Sequence, residues 1–322
     1  MSRIAVVVSV VLMVAAVSVG AVPIGVGASS YARQALNARP AAMGGAFVAV
    51  AEGLATAHYN PAGLGREARY EAGGMYSLPY GEEFDTTLQH INLSGTLQLQ
   101  SDSSVLSAIG WNIGWVGLSI GDIWLWDEEG EPRVVSASSS LYTASVGICL
   151  PSVDGLRVGA SIKLYRDAIL EGRSVGIGGD VGLLWDLWIN ETPLSIGINA
   201  MDIGETRVKW YGTEGDPDNY VYWVNKFGVS TQLLSGMLLL AADFDWTVGR
   251  PKNEQMIYAG IEIVPVSQLA IRGGCQGDLA GDSSSYTAGI GIYLAECFHL
   301  DYAYTTGRVF GEGHMISISY LF

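Results

Sequence analysis

Charge is scarce in this chain of 322 residues: Asp, Glu, Lys and Arg make up 15% of it, against about 25% in an ordinary soluble domain. Long apolar runs are scarce as well. Beyond residue 21 the longest, residues 237–242, falls far short of the roughly 20 residues a membrane helix needs. Cysteine occurs three times, at Cys149, Cys275 and Cys297. An odd count excludes a complete disulfide framework, and without a CxxC or Cys/His cluster these residues read as small apolar filler rather than a metal centre. Basic residues are outnumbered 17 to 32, giving a formal net charge of −15, which argues against a nucleic-acid partner because phosphate neutralisation needs clustered Lys and Arg. Yet 49% of the chain is hydrophobic. Apolarity without helical spans leaves two architectures: a very large soluble core, or a barrel with its apolar side outward.

The N-terminus carries one positive charge, Arg3, ahead of an apolar run that ends near Val19 in small residues. This is the layout of a secretory signal peptide, expected over residues 1–21. The absence of Cys near the cleavage region argues against a lipid-anchored N-terminus.

From about residue 87 the period is two, which puts alternate side chains on opposite faces of a strand. Ile91, Leu93, Leu97 and Leu99 oppose Asn92, Ser94, Thr96 and Gln98; Val175, Ile177, Val181, Leu183 and Trp185 oppose Ser174, Asp180 and a run of glycines. The last strand sets His314, Ile316, Ile318, Tyr320 and Phe322 against Met315, Ser317, Ser319 and Leu321. A soluble sandwich alternates too. Two features favour lipid. Aromatics gather near strand ends (Trp111, Trp124, Trp126, Trp185, Trp188, Trp246, Tyr304, Tyr320), as in membrane-interface girdles. The opposite faces carry Gly, Ser, Asn and the isolated charges Asp180, Asp243, Asp245, Glu262 and Arg272, which a wet or plugged lumen tolerates and a dry core does not. Tyr320 and Phe322 give the aromatic ending typical of outer-membrane barrels, the signal read by the barrel assembly machinery.

Turn signals set the topology. Tight connections are expected near 112–114, 150–155, 188–192, 234–236, 264–267 and 295–297, and longer ones near 99–103, 126–133, 170–173, 203–219, 248–254, 277–284 and 306–312. Their alternation predicts a closed antiparallel transmembrane β-barrel of about 14 strands, an even number, in the outer membrane of a Gram-negative-type bacterium. Within the barrel region, residues 69–322, the strand-like stretch 69–78 is assigned to a connection, since counting it would make the number odd.

Residues 22–68 do not alternate. A barrel of roughly 14 strands leaves a hole unless something fills it, and a segment rich in Ala and Gly can thread close to a wall whose inward glycines make room for a backbone. An N-terminal hatch or plug is therefore expected in the lumen. The run "ARPAAMGGAFVAVAEGLATAHYNPAGLG" at 38–65 resembles the N-terminal signature of FadL-type hydrophobic-compound transporters and the related PorV/PorQ-type outer-membrane proteins. The resemblance implies a hatch whose packed part is Met43, Gly44, Gly45, Ala46 and Phe47 and whose turn is Asn60, Pro61 and Ala62. It implies passive uptake of long-chain fatty-acid-like molecules, with no cofactor. Expected partners are outer-membrane lipid, the hydrophobic cargo and the assembly machinery. On the PorV/PorQ side it implies a role in type IX secretion or attachment, with secreted proteins as partners. The large apolar outer loops that capture substrate in the fatty-acid transporters have no counterpart in this shorter chain, which moves weight toward the second reading.

Other constellations lead nowhere chemical. Asp243 and Asp245 share one strand face as acid–base pairs do, but no nucleophile or His accompanies them, and bonds to hatch amides, Arg272 or Lys226 are the plainer expectation. The glycine runs at 176–179 and 289–291 lie inside alternating strands with no helix after them, so a dinucleotide site is excluded. The acidic stretches 127–131 and 216–219 lack the ordered Ca²⁺-loop spacing, and His58, His90, His299 and His314 are scattered. No enzyme is expected.

Overall fold

The computed structural model describes residues 34–66, 69–80, 85–99, 107–126, 130–213, 218–248, 255–279, 284–306 and 312–322; the leader expected at 1–21 lies outside them. In chain order the strands are β1 (Tyr70–Leu78), β2 (Thr86–Gln98), β3 (Ala108–Trp126), β4 (Pro132–Cys149), β5 (Leu156–Ile169), β6 (Gly172–Ile189), β7 (Thr192–Met201) and β8 (Thr206–Tyr211). They continue with β9 (Asp218–Val221), β10 (Val224–Leu233), β11 (Leu238–Thr247), β12 (Gln255–Val266), β13 (Leu269–Asp278), β14 (Ser284–Leu294), β15 (Phe298–Thr305) and β16 (Gly313–Leu321).

Fourteen of these close a ring. β1 pairs with β2 on one edge and β16 on the other; pairing follows chain order to β7, passes from β7 to β10, and runs on to β16. All ladders are antiparallel, and each of the fourteen wall strands finds partners on both sides. β8 and β9 continue β7 and β10 past a break. β7 pairs with β6 from Val181 to Ile189, and β8 takes over along Arg173–Gly176. Asp202, Gly204 and Glu205, all at positive φ, form the break.

Two sequence expectations are corrected here, and their errors cancel in the count. Residues 70–78 form a wall strand, because the barrel closes through β1 pairing with β16. Residues 112–114 make no turn; they lie in the middle of β3, 19 residues long and paired continuously with β4 across this stretch. Two further consequences follow. The β2–β3 connection sits at the same end as the 150–155 turn, since Gln98 pairs with Ala108 and Ala108 with Cys149. The expected outer loop 203–219 contains strand β8 and the start of β9.

The two faces divide by chemistry. Ile91, Ile113, Ile162 and Ile177 are 60–67% exposed on the outer face, while Asn92, Asn112, Ser161 and Asp180 on the inner face are buried. Each such apolar side chain would gain roughly 1.5–3 kcal/mol on leaving water, so an outer surface of this kind is built for lipid. Among the described residues no helix is long and apolar enough to cross a membrane. The end carrying most of the short turns also holds Tyr70 and Phe322, whose rings stack at 5.9 Å.

Candidate functional site

Residues 35–66 fold inside the ring. Helix α1 (Ala38–Ala42) ends at Gly44 and Gly45, whose φ values of +67° and +89° suit glycine and swing the chain sideways. A 3₁₀ turn (Gly53–Ala55) and helix α2 (Thr56–Tyr59) follow, then a 3₁₀ helix (Pro61–Gly65). Asn60 caps this last helix: its Oδ1 accepts from the Ala62 amide at 3.1 Å, with Pro61 at the first position, where no amide is needed.

The plug lies backbone against wall. A methyl group at Gly110 would overlap the Leu64 carbonyl, one at Gly147 would come 2.5 Å from the Pro61 carbonyl oxygen, and one at Gly159 or Gly182 would strike Pro61 or Asn60. These four glycines are successive register partners across β3, β4, β5 and β6. The paired Gly197 and Gly228 seat Val48 and Ala49, and the paired Gly260 and Gly274 seat Met43 and Gly44. Glycine here serves close approach, which the inward faces could supply in no other way.

Polar wall groups satisfy the plug's backbone. Asp243 Oδ2 accepts from the amides of Phe47 at 2.6 Å and Val48 at 2.8 Å. Thr287 Oγ1 accepts from the Gly44 amide at 2.9 Å, Asn92 donates to the Leu54 carbonyl at 2.6 Å, and Asn199 donates to the Tyr59 carbonyl at 3.0 Å. Asn60, fully buried, donates to the carbonyls of Val48 at 3.1 Å and Leu183 at 3.0 Å, joining the two halves of the plug to β6. Phe47 stacks edge-on against Tyr59 at 5.4 Å. Burial pushes the Tyr59 phenol above its usual range, and Asp243 and Asp245 push it the same way.

A chain of alternating charge crosses the lumen toward the end that holds Tyr70 and Phe322. Asp301 on β15 meets Arg272 on β13 at 2.6 Å, and Arg272 meets Glu262 on β12 at 2.6 Å. Glu262 takes a fork from Arg39 of α1, at 2.9 Å on each oxygen. Arg39 reaches Glu52 at 3.1 Å, Glu52 reaches Arg66 at 3.4 Å, and Arg66 reaches Asp186 on β6 at 2.6 Å. Arg157 on β5 closes the series on Asp186. Four acids and four bases alternate without a break, and the central three belong to the plug. Beside it a polar cleft of about 70 Å³, lined by Arg39, Glu52, Glu71, Tyr293, His299 and Asp301, has room for a few waters at about 10–15 Å³ each.

Toward the loop end the inner face changes character. Met75, Leu88, Val116, Leu141 and Tyr165, from five successive wall strands, form one buried apolar layer with Met315, with Val208 and Val221 of the β8–β9 pair, and with Leu36 and Ala38 of the plug. Next to it Lys163, 2% exposed, pairs with Asp180 at 2.7 Å and Asp202 at 3.2 Å, and Tyr165 and Thr206 donate to Asp202 at 2.9 Å.

The residues singled out from sequence thus lie as follows. Met43, Gly44, Ala46, Phe47, Asn60, Pro61 and Ala62 are buried against the wall, and Gly45 is partly covered by Tyr258. Asp180, Asp243, Asp245, Glu262 and Arg272 all face inward and are buried. Asp243 bonds plug amides and Asp245 bonds Lys226 at 2.5 Å, but Arg272 serves Glu262 and Asp301 rather than the Asp243–Asp245 pair. Arg39, Glu52, Arg66 and Lys163 escaped sequence reading. Lys163 was recoverable, since it falls on the inward parity of β5. The three Cys residues are free, and among the described residues no His, Cys, Asp and Glu group could hold a metal.

No family model and no curated protein matches the chain. Solved structures do. A toluene transporter of Pseudomonas putida, TodX, aligns over 88% of this chain and 95% of its own with 15% identity and a TM-score of 0.56. A second toluene transporter, TbuX of Ralstonia pickettii, covers 88% and 97% with 14% identity and a TM-score of 0.55. A FadL homologue of Pseudomonas aeruginosa covers 95% and 99% with 12% identity and a TM-score of 0.57. At these identities the likeness speaks for architecture alone. In fold, the chain is a barrel of the FadL type.

Proposed function

We propose that this barrel sits in the outer membrane of a Gram-negative-type bacterium and lets small hydrophobic molecules cross it passively, with residues 35–66 as the hatch. One observation carries the reading: the inward apolar layer of Met75, Leu88, Val116, Leu141 and Val208 on the loop side of the plug. A water-filled pore has no use for such a layer, because apolar groups there forfeit the transfer energy that drives their burial. The layer is packed shut in this structure, and a greasy solute arriving from outside passes by parting it between wall and plug, among groups of its own kind. Two proteins of the same fold are toluene transporters, which supports a hydrophobic cargo without naming it. In the test, intact cells producing the chain take up a fluorescent hydrophobic dye such as N-phenylnaphthylamine faster than cells lacking it, and Leu141→Asn slows entry severalfold while the barrel still assembles. Entry no faster than in cells without the chain ends this reading.

The long β3–β4 hairpin favours a second one. Its tip exposes Trp124, Leu125, Trp126 and Val134, a surface suited to protein contact, as in a PorV/PorQ-like component of type IX secretion. A stoichiometric secreted protein that stays bound through purification, and is lost on Trp126→Ser, would support it.

A further inference from the structure

Seven of the twelve Lys and Arg among the described residues serve the plug and the lumen: Arg39, Arg66, Arg69, Arg157, Lys163, Lys226 and Arg272, none of them exposed. The five exposed ones are Arg133, Arg166, Arg173, Arg207 and Lys209. All stand at the loop end, and four are neighbours. Lys209 pairs with Val175, and Arg173 lies two residues along β6 from Val175, on the same outward face. The β5–β6 register sets Arg166 beside Val175 from the other strand. Arg207 precedes Lys209 by two positions along β8. With strands about 4.8 Å apart and same-face neighbours about 7 Å apart along a strand, four cations surround one valine within the width of a lipid headgroup.

Anions compensate this patch only in part. Arg207 pairs with Asp218, which holds the Asp218 carboxyl below its ordinary range. Among the described residues Arg166, Arg173 and Lys209 enter no ion pair. In a chain of net charge −15, such a gathering on the outer wall offers an anion a site. Its position names one. Directly below the cations, on the same two wall strands, Ile162, Ile177 and Val181 are 54–67% exposed and belong to the apolar band. Level with the cations, Tyr211 opposite Arg173 and Tyr220 opposite Arg207, both exposed, mark the membrane interface, and Lys209 lies over the Tyr211 ring at 5.1 Å. Charge at headgroup height above an acyl-chain surface is the complement of a lipid that carries both phosphate and fatty chains.

We infer that the outward face of β5, β6 and β8 is a binding site for a phosphorylated, multiply acylated lipid of the outer leaflet. Arg166, Arg173 and Lys209 hold its phosphate oxygens, while Ile162, Ile177 and Val181 lie along its chains. Arg supplies forked, charge-assisted bonds to phosphate. The inference rests on the membrane placement of the barrel, not on any cargo.

The full chain, purified in a neutral detergent, is titrated with bis-phosphorylated lipid A, with the same lipid after dephosphorylation, and with inorganic phosphate, and binding is followed by native mass spectrometry. The site predicts binding of the phosphorylated lipid at least tenfold tighter than the dephosphorylated one, with no competition from millimolar inorganic phosphate. The triple variant Arg166→Ser, Arg173→Ser, Lys209→Ser should lose on the order of a hundredfold, as three juxtamembrane cations contribute, while Arg133→Ser should lose nothing. If the triple variant fails to assemble, Arg173→Ser alone should still lose severalfold. Equal affinity for both lipids, displacement by inorganic phosphate, or unchanged affinity in the variants overturns the inference.

Discussion

Asn60 shows how much of the plug's placement rests on one side chain. Its amide oxygen accepts from Ala62 while its nitrogen serves two carbonyls, Val48 on the plug and Leu183 on the wall. An aspartate keeps the cap and turns both donors into acceptors facing acceptors, so Asn60→Asp should loosen the plug more than Asn60→Ala. The alanine variant removes both bonds and deprives the buried Val48 carbonyl of this donor, at roughly 1–3 kcal/mol. The rate at which an added protease cuts the 35–66 segment in the assembled barrel ranks the two; an aspartate variant as resistant as wild type would remove Asn60 from its assigned role. The glycine seat makes a complementary prediction. Gly147→Val drives a side chain into the Pro61 carbonyl and Leu64, and overpacking of this sort costs about 1–3 kcal/mol. The barrel should still form, because the opposite face of β4 is untouched, but thermal unfolding should begin several degrees earlier. An unchanged midpoint would mean that the plug yields there without cost.

At the scale of elements, parity was legible and length was not. Period two settles which residues of a strand share a face, so the inward placement of Asp180, Asp243, Asp245, Glu262 and Arg272 could be read before any coordinates. Strand ends follow from pairing partners remote in sequence. Gly110, Asn112 and Gly114 look like punctuation in the sequence, yet they are on β3's inner face, made small to admit Leu64 and to fit beside His90 and Thr143. The stretch 69–78 reads as a strand in the sequence and falls outside the wall only on the strand count; within β1, Gly73 is small because Leu54 and β16 crowd it. The alternating charge chain was invisible for a similar reason, since each of its links joins residues from different elements. Its centre is Glu52, shared by Arg39 and Arg66. Glu52→Gln removes the charge that balances both guanidiniums. Breaking a fully buried pair costs roughly 3–5 kcal/mol, and the 14–21% exposure of these side chains brings the expectation to about 2 kcal/mol. In planar bilayers that variant should show brief ionic current bursts absent from wild type, and adding Arg66→Gln should change them little, because both substitutions cut the same chain. Additive effects would show that the links act separately.

For the whole molecule, the architecture divides labour along the barrel axis. The outer face is apolar throughout its middle, the short-turn side of the lumen is closed by a charged and glycine-seated plug, and the loop side holds a buried apolar inner layer. Sequence conveyed the first of these through alternation and the second through the resemblance of residues 38–65 to a known signature. It conveyed nothing of the third, because Met75, Leu88, Val116 and Leu141 sit among inward residues that are otherwise small or polar, and only the closed ring brings them to one level.

The most direct test removes residues 35–66, leaves the wall intact, and measures two quantities on the same protein: hydrophobic dye entry into intact cells and ionic current in planar bilayers. A hatch predicts that the full chain admits dye while conducting little, and that the shortened chain admits dye and conducts steadily. Dye entry in the full chain at the level of cells without it, rising only after the deletion, would make the segment a fixed stopper and contradict the account.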